Sequence, residues 1–232
     1  MWQTLRAELN PRGLEIVTVA LDLDAEAARP WIVAAHPKHP SLIDQAHVVD
    51  EVFGIVNVPS GVWINEEGVI VRPPETAYPR RPALRDRPIP AKATPEQIVR
   101  INIVKTFHID AETYIAALRD WVQHGAASRF ALAPDEVLRR SRPRPIAEAT
   151  AAAHFELGQH LHRLGRTEDA VAHFRAAHRL QPANWTYKRQ AWSLVDPAQG
   201  PNAVYEGDWL TDVQKSGAEN YYAPLEMEMG KD

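Results

Sequence analysis

Ten histidines and no cysteine set the chemistry this chain can carry. Without a thiol there is no thiolate nucleophile, no thiol–disulfide exchange, no Cys-ligated zinc and no iron–sulfur cluster. The histidines are spaced poorly for a metal. His36 and His39 share the Pro-bounded stretch His36-Pro37-Lys38-His39-Pro40. His160 and His162 alternate along one segment, so on a helix they point to different faces. His154, His173 and His178 sit elsewhere in that segment, and no pair has the i, i+4 spacing beside a carboxylate that a helical zinc site uses. The expected metal and cofactor content is none, and the histidines read as solvated or packing residues. Glu66 and Glu67 read as exposed turn carboxylates. The arginine runs at 80–87 and 139–144 are broken by proline and lack interleaved aromatics. In a chain of net charge -4 they read as solvated linkers rather than an RNA surface. No Ser/His/Asp arrangement, phosphate loop or dinucleotide fingerprint is present.

The elements that must position these residues follow from periodicity and punctuation. Trp2, Leu5 and Leu9 predict a short amphipathic helix ended by Pro11 and Gly13. Leu14 to Leu21 is a β-branched apolar run suited to a buried parallel strand. Asp24 is placed to cap a helix reaching about Ala35, with Pro30 inside it. A loop, a short strand-like segment from Ser41 to Asp44 and a helix from Ala46 to Phe53 follow. Gly61 to Asn65 and Val69 to Arg72, joined by Glu66-Glu67-Gly68, read as a β-hairpin. Residues 73–92 are rich in proline and read as linker. Thr94-Pro95-Glu96-Gln97 is a capping-box helix start. Tyr114, Ile115, Leu118, Trp121 and Val122 form the stripe of a helix stopped by Gly125, and Pro134 starts another that ends near Arg140. The expected organisation is an α/β domain over 1–92, a helical connecting region over 93–145 and a helical domain over 146–232.

Composition is that of a globular protein, with 45% hydrophobic and 24% charged residues. No stretch approaches the ~18 apolar residues of a membrane span. The N-terminus carries no apolar run of signal-peptide type, so a cytoplasmic location is expected.

Taking Ala151 as the first position of a roughly 34-residue unit sets Leu157, Gly158, Leu161, Ala170, Phe174, Ala177 and Pro182 at meaningful places. The segment resembles a tetratricopeptide repeat. In that pattern Gly158 and Ala170 let two helices approach, Phe174 fills the groove and Pro182 ends the second helix. His154 departs from it, standing where the pattern prefers Trp. Trp185 to Leu194 reads as a capping helix, because Trp192 falls where a second repeat needs its small glycine. One repeat cannot bury its own faces and must pack on neighbours. Beyond Pro197 the chain reads as irregular, docked by Trp209, Tyr221, Tyr222 and Leu225.

The segments GLEIVTVALD (13–22), HPSLID (39–44) and VVDEVFGIVNVPSGVWINEEGVIV (48–71) resemble the thioredoxin superfamily. Within it they are most similar to the redoxin branch, which includes TlpA/ResA-like thiol–disulfide oxidoreductases and alkyl hydroperoxide reductase relatives. Val58-Pro59 matches the family's cis-proline step, Gly68 matches its hairpin glycine, and Asn65 stands where it usually has Asp. The resemblance implies a thioredoxin-like fold that is incomplete at the N-terminus. Residues 2–9 match only the later part of the family's first helix, so its first strand and Trp-Cys-x-x-Cys motif would precede Met1. That strand belongs mid-sheet, between the strands matched by Leu14 to Leu21 and by Gly61 to Asn65. Met1 is accordingly expected to be an internal methionine of a longer protein; the rival is that another segment or a second subunit fills the slot. In the family, the backbone before the cis-proline pairs with an extended peptide. This makes Val58, Pro59 and Ser60 peptide-binding candidates, with no catalytic residue.

The expected function is a redoxin-like protein without redox cysteines, acting as a non-catalytic module that binds a protein or extended peptide through the repeat's concave face and the Val58-Pro59 edge. The alternative is an N-terminally truncated thiol–disulfide oxidoreductase or thiol peroxidase whose Cys-x-x-Cys segment lies upstream. A second copy of the chain is a further candidate partner; nucleic acid and membrane are not expected.

Overall fold

Side chains placed at helix starts make the bonds that define those starts. The computed structural model describes residues 2–80, 82, 85, 86, 88–141, 143–205 and 207–227. Helix α1 (Trp2–Leu9) leads to β1 (Thr18–Leu21), α2 (Ala25–Ala35), β2 (Ser41–Asp44), α3 (Val48–Phe53), β3 (Ser60–Ile64) and β4 (Ile70–Thr76). The rest is helical: α4 (Pro95–Thr106), α5 (Ala111–His124), α6 (Pro134–Ser141), α7 (Ile146–Arg163), α8 (Thr167–Leu180), α9 (Trp185–Ser193) and α10 (Trp209–Ser216). Asp24 caps α2 by accepting from the Glu26 amide. Thr94 and Gln97 form the reciprocal box at α4, each side chain accepting from the other's backbone N–H. Asp110, Asn184 and Asp208 cap α5, α9 and α10 by accepting from amides two or three residues on.

The described strands form two separate two-stranded sheets. β1 and β2 run parallel, with Thr18 opposite Ser41 and Leu21 opposite Asp44. The expected strand from Leu14 is shortened to its last four residues. Its ladder begins where the Thr18 amide donates to the Pro40 carbonyl, and Pro40 has no N–H to extend the pairing. Leu14 and Ile16 pack on the first core instead.

β3 and β4 are antiparallel, with Gly61 opposite Glu75 and Trp63 opposite Arg72. Here the expected linker is corrected: β4 continues through Pro73-Pro74 to Thr76. Val62 faces two residues where the register shifts between Gly61 and Trp63. A bulge tolerates prolines because its residues need not donate to the ladder.

Three apolar clusters hold the elements. The first unites Leu5 and Leu9 of α1, Trp63 of β3, and Tyr114 and Leu118 of α5. The Trp63 indole N–H donates to the Tyr114 hydroxyl at 3.1 Å. Gly61 is required here, since a Cβ at that position would lie 2.5 Å from the Tyr114 oxygen. The second cluster is the interior of α7, α8 and α9, built on Phe155, Phe174 and Tyr187. The third joins Phe107 at the end of α4 to Trp185 and Trp192 of α9, Val213 of α10, and Tyr221 and Tyr222. The segment read as irregular therefore contains a helix, α10, capped by Asp208.

Candidate peptide-binding site and helical repeat

The bend between α3 and β3 brings Val58, Pro59 and Ser60 together, all half-buried. The Val58–Pro59 peptide bond is cis. Ser60 Oγ donates to the Asn57 carbonyl at 2.7 Å, and the Val58 amide donates to Asn57 Oδ1 at 2.9 Å. The Pro59 carbonyl accepts from the Ala77 amide at 3.0 Å. The Tyr222 hydroxyl donates to the Val58 carbonyl at 3.0 Å, and Asn57 Nδ2 donates to the Tyr221 carbonyl at 2.7 Å. Both main-chain polar groups of Val58 are thus engaged inside the molecule, and the C-terminal segment lies across the edge read as open. The sequence pointed to Tyr221 and Tyr222 only as docking aromatics; nothing in it placed them on Val58.

The Tyr222 hydroxyl also accepts from Tyr78 at 3.0 Å. Burial, then the neighbouring Tyr221 and Tyr78, push its pKa well above the usual phenol range, so it stays a neutral donor. A cavity of about 440 Å³ adjoins the site, with Thr76, Tyr78, Lys105 and Phe107 on one side and Pro224 and Leu225 on the other.

In the repeat, α7 and α8 pack closely because Gly158 faces Phe174. A Cβ on Gly158 would stand 2.8 Å from the Phe174 ring. His154, at the position where Trp is usual, meets His173 of α8 with their Nδ1 atoms 2.8 Å apart. In that bond one Nδ1 donates and the other accepts. No group of three or more His, Cys, Asp or Glu side chains that could hold a metal occurs among the described residues. A cavity of about 390 Å³ beside α8 is walled by Val171, Phe174, Leu194, Val195, Val204 and Tyr205.

One face of α7 and α9 is already occupied by the chain itself. His47, in front of α3, packs edge-on to Phe155 with ring centres 5.0 Å apart. Its Nδ1 lies 2.9 Å from Asp50 Oδ2 and its Nε2 3.0 Å from Gln190 Oε1. The Leu23 amide donates to that same Gln190 oxygen at 3.0 Å, which fixes the amide orientation. His47 Nε2 must therefore be the donor. Facing a carboxylate, Nδ1 is a donor as well, so the pocket favours the protonated ring. Burial alone would push its pKa down; the Asp50 carboxylate, helped by Gln190 and Asp44, more than offsets this and holds it above the usual histidine range. Nearby, the Tyr187 hydroxyl donates to Glu51 Oε2 at 3.1 Å, and Glu51 pairs with Arg144. Phe155 and Gln159 on α7 are 2% and 1% exposed, so neither is accessible for a partner.

The tetratricopeptide repeat family matches residues 151–184, the segment that folds as α7 and α8. No curated protein and no solved structure matches the chain. No described helix is long and apolar enough to cross a membrane.

Proposed function

We propose that the protein is a non-catalytic interaction module that holds a protein or extended-peptide partner. The observation that carries this is the tetratricopeptide repeat at 151–184, folded as the packed pair α7 and α8. Such repeats stack to present extended binding surfaces. The finer reading is redoxin-like, with Val58, Pro59 and Ser60 as the peptide-contacting edge. Strand addition at that edge uses main-chain hydrogen bonds and needs no thiol, which suits a chain without cysteine, and at Val58 it requires the Tyr222 hydroxyl to leave the carbonyl. Since α7 and α9 already grip the residues around His47, the repeat's remaining partner surface is on α8.

Site-specific photo-crosslinking tests this. A photoreactive side chain replaces Ser60, Ala172 on α8 or, as control, Glu67 in the exposed hairpin turn, in the cells that make the protein. The same partner is expected from the first two positions and not from the control. Equal labelling at all three contradicts the reading.

A second reading is favoured by one observation: β1 and β3 each have a single strand neighbour among the described residues. A further strand between them would complete one sheet, and if it carried Cys-x-x-Cys the whole would be a thiol–disulfide oxidoreductase or thiol peroxidase. A reductase assay on the reading frame extended upstream decides this. Activity lost on Cys→Ser would support it; an extension with no cysteine would remove it.

A further inference from the structure

Tyr222 to Met227 make no main-chain-to-main-chain hydrogen bond among the described residues. The segment is held the way a receptor holds a peptide. Side chains of the body donate to its carbonyls: Asn57 Nδ2 to Tyr221 at 2.7 Å, Thr76 Oγ1 to Ala223 at 3.5 Å, and Arg72 Nη2 to Glu226 at 2.6 Å. Arg72 is itself 2% exposed and fixed by a second bond to the Phe130 carbonyl at 2.8 Å. Arg140 Nη1 adds an ion pair to Glu226 Oε2 at 3.1 Å.

Buried and solvent-facing side chains are interspersed along it, Tyr221 being buried beside Tyr222. Tyr222 and Met227 are buried and Leu225 is half-buried, while Ala223, Pro224 and Glu226 are exposed. The Tyr222 ring sits edge-on to Phe107 at 5.4 Å and to Tyr78 at 5.7 Å.

We propose that this groove, running from Asn57 past Thr76 to Arg72, is a peptide-binding site whose resident occupant is the chain's own segment 221–227. The partner it fits is an extended peptide with an aromatic anchor, an aliphatic residue three positions on, and an acidic residue next to it. This rests on the reading of the Val58-Pro59-Ser60 edge as a peptide contact and deepens it. A partner reaches the Val58 carbonyl only by displacing Tyr222. Donors that read carbonyls accept any extended chain, so the pockets for Tyr222 and Leu225 supply the selectivity. A tethered occupant competes at an effective concentration on the order of millimolar, which sets how strongly the segment shields the groove.

The test uses the full chain and a fluorescent peptide of the sequence Ala218 to Met227, read by anisotropy. Tyr222→Phe removes the hydroxyl bond to Val58 and keeps the ring; Leu225→Ala removes a half-buried anchor. The double variant, native by circular dichroism, is expected to bind the peptide at least tenfold more tightly than the wild type. Adding Asn57→Ala should cancel the gain. Leu225→Ala alone, if the double variant fails to fold, should give a smaller gain of the same sign. Equal affinity for wild type and variants, or a gain untouched by Asn57→Ala, would overturn the proposal. The two readings fail separately. A partner captured at Ser60 with no effect of the segment variants removes only the resident-occupant claim; the expected peptide binding with no capture at Ser60 removes only the partner claim.

Discussion

His47 and Gln190 lie 143 positions apart in the chain and share one hydrogen bond of 3.0 Å, at the point where the N-terminal segment meets the helical repeat. The bond is possible because Gln190 sits on α9, just beyond the matched repeat, and turns its oxygen toward both His47 and the Leu23 amide. One side chain thereby ties the end of β1 and the start of α3 to the helical region. The repeat spends this face on its own chain, which is how a single repeat finds the neighbour it needs.

Removing that side chain should loosen the junction. Gln190→Ala leaves the Leu23 amide and His47 Nε2 without an acceptor in a buried place. At about 1–3 kcal/mol for each orphaned group, the expected loss is roughly 2–6 kcal/mol in urea unfolding. In a double-mutant cycle with His47→Ala the losses should fall short of additive, since the two side chains share the bond. Additive losses would show that they act independently.

Two buried histidines should shape stability against pH in opposite senses. His47 has a raised pKa in the fold, so the native state holds its proton where the unfolded chain releases it. Its contribution is full below the unfolded value of about 6.5 and fades as pH rises through the folded value. His178 is pushed down to about 4, first by burial. Its contribution is full above about 6.5 and is lost as pH falls toward 4, at most about 3 kcal/mol in all. Urea midpoints from pH 4 to 9 should therefore peak near neutrality. His47→Gln should flatten the alkaline limb and His178→Leu the acid limb; a curve whose limbs ignore both substitutions contradicts the assignment.

Gly158→Ala tests the packing of the repeat. The new methyl would meet the Phe174 ring at 2.8 Å, well inside contact distance. Over-packing of this kind costs about 1–3 kcal/mol. Phe174→Leu in the same chain should recover part of the loss, because the obstructing ring edge is gone. Thermal melts of the four combinations give the answer, and a Gly158→Ala protein as stable as the wild type would refute the close approach.

Gly61→Ala should behave similarly for a different reason. There the obstacle is the Tyr114 hydroxyl at 2.5 Å, which accepts the Trp63 indole bond. Moving Tyr114 aside breaks that bond in a buried core, so the loss should be about 2–4 kcal/mol. Tyr114→Phe should not rescue it fully, since the indole N–H remains unpaired. A calorimetric scan checks both variants.

The parts of the fold visible in the sequence are those fixed within a few residues. Asp24 and Thr94 with Gln97 cap helices through bonds that span three residues or fewer. The repeat was legible because Gly158, Ala170 and Phe174 stand at the spacing of the tetratricopeptide pattern that matches 151–184. What was hidden is non-local. Pro73-Pro74 speak against a strand until a bulge excuses them from donating. His47 and Asp50 look like surface residues until Gln190 arrives from the far end of the chain. The Val58-Pro59-Ser60 step stands out in the sequence, but that Tyr222 covers Val58 depends on a contact across 164 positions.

The central claim is that this chain binds a partner through both the Val58-Pro59-Ser60 edge and α8. Calorimetric titration of the crosslinked partner into purified protein measures it most directly, comparing wild type with Ser60→Tyr and Ala172→Tyr. Each substitution places a bulky ring on one surface and should weaken binding at least tenfold with the fold intact. Unchanged affinity in either variant would contradict the account.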